Sequence, residues 1–142
     1  MKIIKMVFIV IMTLIISQFI DVSVVKNNHF NMITVNAVFI GFLFTSLSIL
    51  LGFLNEKVVR FFEKAWALKV VYASIEKGIV CSLLSVILSF INLVITEKYI
   101  LNDKVINSLY GFEITFLIIT TYYLFKTLYN LKVIVDSIKI TR

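Results

Sequence analysis

The feature that most constrains this chain is the run from Asn27 to Asn55, 29 residues with no Asp, Glu, Lys or Arg. A helix of about 20 mostly apolar residues crosses roughly 30 Å of hydrocarbon, so the run is long enough to span a bilayer. Its apolar part starts near Met32 and ends at Leu54. Three further windows are similar. Gly78–Thr96 has 19 uncharged residues, and Val105–Phe125 has 21 broken only by Glu113. Met6–Ile20 has 15, and it reaches spanning length when Ile3 and Ile4 or Val22–Val25 join it.

Composition agrees with this reading. Of 142 residues, 61% are hydrophobic and 15% charged, with a mean hydropathy of +1.03. A chain this small cannot hide that much apolar surface in a water-soluble core. An ordinary soluble enzyme, a disordered tail and a free nucleic-acid module are excluded, and direct nucleic-acid binding is not expected. The expected fold class is all-α, a single membrane domain over 1–142 with four transmembrane helices at about 3–22, 32–54, 78–96 and 105–125. A cytoplasmic amphipathic segment over 55–77 and a cytoplasmic helical tail over 126–142 complete it. A cleaved signal peptide competes for the first window, since Lys2 and Lys5 precede an apolar stretch. No small-x-small cleavage site follows Ser17, so an uncleaved helix is expected.

Orientation follows from the basic residues on each flank. Lys2 and Lys5, then Lys57, Arg60, Lys64, Lys69 and Lys77, then Lys126, Lys132, Lys139 and Arg142 total 11 on one side of a four-span chain. Lys26, Lys98 and Lys104 make 3 on the other. Both termini are therefore expected in the cytoplasm. Trp66, Tyr72, Tyr122, Tyr123 and Tyr129 fall near the inner boundary, and Tyr99 and Tyr110 near the outer one, as interfacial aromatics should.

The 55–77 segment reads as a basic amphipathic helix. Asn55 caps it, Val58, Phe62, Ala65 and Trp66 share one face, and Lys57, Arg60 and Lys64 another. Lys57, Arg60, Lys64, Trp66 and Lys69 are candidates for a lipid surface or a cytoplasmic protein partner. A solvated linker is the plainer alternative. In the tail, Leu128, Leu131, Val135 and Ile138 repeat at steps of 3, 4 and 3.

Two windows carry small-polar stripes. One is Gly41, Thr45, Ser48 and Gly52, and the other is Gly78, Ser82, Ser85, Ser89, Asn92 and Thr96. Spacings of 3 and 4 keep each set on one helix face, and small residues let helices approach closely in lipid. Both stripes are expected to face inward, as packing surfaces or as the wall of a water-lined path. Glu113 lies about 12 Å along its helix from Val105. No Lys or Arg sits in the uncharged core of any span to neutralise it. It is protonated and bonded to Ser85, Ser89 or Thr45, or it lines an ion path, or its helix is shifted so that it sits nearer the interface.

Enzyme chemistry is missing. Cys81 is the single cysteine, His29 the single histidine, assigned to an outer loop, and no HExxH, GxSxG, P-loop or GxGxxG pattern occurs. A non-enzyme without metal or cofactor is expected. The run NAVFIGFLFTSLSILLGFLNEKV, Asn36–Val58, and the four-span layout resemble small membrane proteins of bacterial antiviral defence operons, the Kiwa-like membrane subunit among them. The resemblance covers about 23 residues plus topology and implies cytoplasmic ends and a cytoplasmic partner. It transfers no functional residue. The abundance of Ile, Lys, Asn and Phe fits a bacterial source. Together these readings imply an oligomeric inner-membrane protein that senses or perturbs the bilayer in antiviral defence. An ion channel or transporter using Glu113, a holin and a bacteriocin-immunity protein are the alternatives.

Overall fold

The computed structural model describes residues 2–19, 22–52, 59–60, 67–98 and 102–140. Its helices are α1 (Lys2–Phe19), α2 (Val22–Lys26), α3 (His29–Gly52), α4 (Ala67–Lys98) and α5 (Asp103–Ile140). No strand occurs among the described residues. The chain has no proline, so nothing removes a backbone donor inside these long rods. Asparagines mark two starts. The Asn28 carbonyl accepts from the Met32 amide at 2.9 Å, making His29 the first residue of α3. The Asn102 side-chain oxygen accepts from the Lys104 amide at 3.1 Å and caps α5.

α4 and α5 form an antiparallel central pair. α3 packs on both, antiparallel to α4, and α1 packs on α5. Among the described residues three helices are long and apolar enough to cross a membrane: α3, and the stretches Leu68–Ile95 of α4 and Lys104–Ser137 of α5. α1 is helical over 18 residues, but its apolar described stretch is only Ile9–Phe19. The expected fourth span thus rests on a helix that runs about 27 Å in all.

The buried faces follow a seven-residue rhythm, the signature of left-handed helix packing. α4 buries Leu68, Val71, Ile75, Gly78, Ser82, Ser85, Ser89 and Asn92, alternating steps of three and four. α3 buries His29, Asn36, Leu43 and Leu50, and α5 buries Glu113, Thr120, Thr127 and Ile134, each seven apart. Along this shared seam the interior changes character. At one end Leu43, Leu50, Val59, Leu68, Val71, Ile75 and Ile134 make an apolar core. At the other end the seam is amide, hydroxyl, imidazole and carboxylate.

Two glycines permit close approach. A Cβ on Gly78 would meet Leu43 Cδ1 at 2.8 Å and Tyr123 Cβ at 3.2 Å. On Gly111 it would meet the Thr13 carbonyl oxygen and Ser17 Cβ, both at 3.0 Å, so α1 lies hard against α5 there.

The structure departs from the expected element map in the 55–77 segment. Its second part is not a separate element, because 67–77 forms the first turns of the single 32-residue helix α4. The capping by Asn55, the face Val58, Phe62, Ala65 and Trp66, and the cations Lys57 and Lys64 lie outside the described residues. In the tail α5 continues to Ile140, but it buries Thr127 and Ile134 while Leu128 and Val135 are exposed.

Candidate functional site

The polar end of the seam is built around Glu113, whose side chain is 0% exposed. Three groups from two other helices meet its carboxyl. Asn92 Nδ2 donates to Oε2 at 2.7 Å, and the Ser89 hydroxyl donates to Oε1. The third is His29, whose Nδ1 lies 3.1 Å from both oxygens. The imidazole is 3% exposed and lies edge-on to Tyr110, with ring centroids 5.1 Å apart. Either an imidazolium with a carboxylate or a neutral imidazole with a carboxylic acid keeps this bond. His29 Nε2 is buried with no hydrogen-bond partner among the described residues.

The cluster continues down the seam. Ser85 Oγ donates to the Glu113 carbonyl at 3.1 Å and accepts from Asn36 Nδ2 at 3.0 Å. Ser82 Oγ reaches both Asn36 Oδ1, at 2.9 Å, and the Asn36 carbonyl, at 3.0 Å. α3, α4 and α5 are thereby tied by one set of buried polar contacts from Ser82 to His29. Further along, Thr127 Oγ1 donates to Ser74 Oγ at 3.3 Å. On the other side of α5, Thr13 of α1 bonds Thr115 at 3.2 Å.

From Gly78 to Asn92 the second stripe therefore faces inward, with the Thr96 side chain outside the described residues; Ser89 meets the Glu113 carboxyl as its depth suggested, and Ser85 meets the Glu113 main-chain carbonyl instead. The first stripe does not. Gly41, Thr45, Ser48 and Gly52 all lie on the outside of the monomer, and nothing within 4 Å would meet a Cβ on either glycine. Thr45 bonds the Gly41 carbonyl at 2.9 Å and Ser48 the Phe44 carbonyl at 3.1 Å, so neither reaches Glu113. Arg60, Lys69 and Lys77 are exposed. Tyr110, expected at the interface, is instead buried against His29.

By sequence His29 falls in the outer loop between the first two apolar windows. The structure corrects this: the ring opens α3 and is the counter-group to Glu113 that no Lys or Arg supplies. Asn36 likewise belongs to neither small-polar stripe. A signal was available in the seven-residue interval linking His29, Asn36, Leu43 and Leu50, the same interval that recurs in α5.

The geometry also bears on depth. Glu113 is ten residues into α5, about 15 Å from its start, yet it is level with the first residue of α3. α4 and α5 thus extend past α3 at this end of the bundle. The cavities described elsewhere in the molecule touch none of His29, Ser89, Asn92 or Glu113. His29 and Glu113 are both buried, and no group of three or more His, Cys, Asp or Glu able to hold a metal occurs among the described residues.

No family model, curated protein or solved structure matches the chain.

Proposed function

We propose that the protein is a non-enzymatic, oligomeric bacterial inner-membrane protein that senses or perturbs the bilayer, with the His29–Glu113 pair as its latch. The observation that carries this reading is the sealed acid–base cluster joining α3, α4 and α5. Breaking a buried pair on one side leaves an uncompensated charge and costs about 3–5 kcal/mol. A bundle held this way has a defined closed packing and one residue pair through which that packing is released.

Four spans with cytoplasmic termini remain our reading of topology, from 11 basic residues against 3. The oligomer is supported by the exposed face Gly41, Thr45, Ser48 and Gly52, which lets a second copy approach closely in lipid. The antiviral setting and a cytoplasmic protein partner at the basic segment rest on the resemblance of Asn36–Val58 and the overall layout. The alternative is a channel or transporter using Glu113. It is favoured by the length of the polar seam, and weighed down by the amide of Asn36, which interrupts any relay of protons between Ser82 and Ser85.

Membrane depolarisation in cells expressing the full chain separates the two. If the pair is a latch, His29→Gln and Glu113→Gln raise basal depolarisation or toxicity. If Glu113 guides cations, Glu113→Gln lowers conductance while the protein still assembles. A Glu113→Gln protein as quiet and as inducible as wild type would remove the latch reading.

A further inference from the structure

On the outside of the bundle a groove of about 460 Å³ runs between α4 and α5, lined by Lys69, Ser74 and Lys77 from one helix and Tyr122, Tyr123 and Lys126 from the other. Among the described residues no carboxylate lines it, and Lys77 and Lys126 enter no salt bridge. Ser74 is buried, held to the Val71 carbonyl at 2.8 Å. Lys69 and Lys77 are two turns apart on α4, about 12 Å along the axis.

The height of the groove is what gives it meaning. Gly78 is directly opposite Tyr123, which puts Lys77 and Lys126 close to one level. Beyond Lys77 begins the uncharged run 78–96, and Lys126 ends the run 105–125, broken only by Glu113. The two lysines thus stand where both helices leave hydrocarbon, the level of lipid phosphates. Tyr122 is exposed beside them, and tyrosine favours that layer. On the hydrocarbon side, exposed Leu84 lies seven residues past Lys77, and exposed Ile118 four residues before Tyr122. Those offsets extend both walls of the groove as apolar surface suited to an acyl chain.

We propose that this groove is a binding site for an anionic phospholipid, its phosphate held by Lys77 and Lys126 and its chains lying along Leu84 and Ile118. Basic pockets between membrane helices select such headgroups because the low-dielectric walls strengthen the attraction. The site requires only that α4 and α5 span a bilayer, and it stands apart from the latch.

The test is thermal unfolding of the full chain in uncharged detergent, titrated with dioleoylphosphatidylglycerol, dioleoylphosphatidylcholine or inorganic phosphate. Phosphatidylglycerol should raise the Tm saturably, and the other two should not at equal concentration. Lys77→Gln with Lys126→Gln should weaken the phosphatidylglycerol midpoint on the order of 10- to 30-fold. The same change in charge at Lys132 and Lys139 should leave it within about twofold. An equal response to phosphatidylcholine, an equal response to free phosphate, an unchanged midpoint in the first pair, or an equal loss in the second pair would each overturn the site. Native mass spectrometry of the wild-type protein gives a check without any variant: phosphatidylglycerol lost on dilution as fast as phosphatidylcholine also overturns it.

Discussion

α3 and α4 carry stripes of small and hydroxylated residues at almost the same spacing, and the bundle treats them in opposite ways. On α4, Gly78, Ser82, Ser85, Ser89 and Asn92 are all buried. On α3, Gly41, Thr45, Ser48 and Gly52 all face out, and the buried face is His29, Asn36, Leu43, Ser46 and Leu50. The difference lies in what each polar group can do alone. Thr45 and Ser48 satisfy their hydroxyls on the carbonyl four residues back, so they carry little unmet demand into lipid. An amide has two donor hydrogens and two acceptor lone pairs, and a carboxyl or imidazole has no comparable way to pair within its own helix. Asn36 donates to the Met32 carbonyl and to Ser85 Oγ, and its Oδ1 accepts from Ser82. Glu113 takes everything from other helices. Strong polar groups therefore choose the inward face, and hydroxyls on α4 turn inward because they stand opposite such groups.

Five measurements press on this contrast. His29→Ala leaves the buried Glu113 carboxyl without its imidazole and should cost about 3–5 kcal/mol in unfolding of the detergent-solubilised chain. A loss no greater than that of Thr45→Ala would break the contrast outright. Ser85→Leu forces a larger side chain between Asn36 and Glu113 and strands both, which should cost about 1–3 kcal/mol or more. Gly41→Leu, with open space around it, should leave monomer stability unchanged or raise it by up to about 1 kcal/mol through helix propensity. Size-exclusion chromatography of that variant then reports the proposed oligomer face separately, by a shift toward monomer.

Gly78→Ala and Gly52→Ala make the same change on the two stripes. The first should destabilise by about 1 kcal/mol, because Tyr123 Cβ and Leu43 stand in the way of a methyl group. The second should stabilise by up to about 1 kcal/mol. The smallest effect is expected for hydroxyl removal: Ser89→Ala should cost about 0.6 kcal/mol, a typical interhelical hydrogen bond in a membrane protein, and Ser48→Ala nothing measurable. Equal values for that last pair would show that the α4 hydroxyls serve only their own backbone.

Much of the molecule was legible beforehand, for reasons that are local. Helices over 32–52 and 105–125 follow from uncharged length, because only a helix satisfies its backbone in hydrocarbon. The inward stripe of α4 and the contact of Ser85 and Ser89 with Glu113 follow from period and relative depth. The first window is less legible. It reaches spanning length only with residues borrowed from beyond its ends, and its apolar described stretch stops at Phe19.

By itself the sequence determined that this chain is a set of apolar helices with one carboxyl group too far from any lysine or arginine to be neutralised by them. Hydropathy and charge act residue by residue, and a single chain displays them completely. Only the tertiary structure decided which face of α3 turns inward and that His29 answers Glu113. Those two residues are 84 positions apart, and no local pattern records the pairing. It exists because α3 begins level with a point about 15 Å inside a neighbouring helix, and because a buried carboxyl is costly to leave without a partner, so the packing that brings a partner is the one that forms.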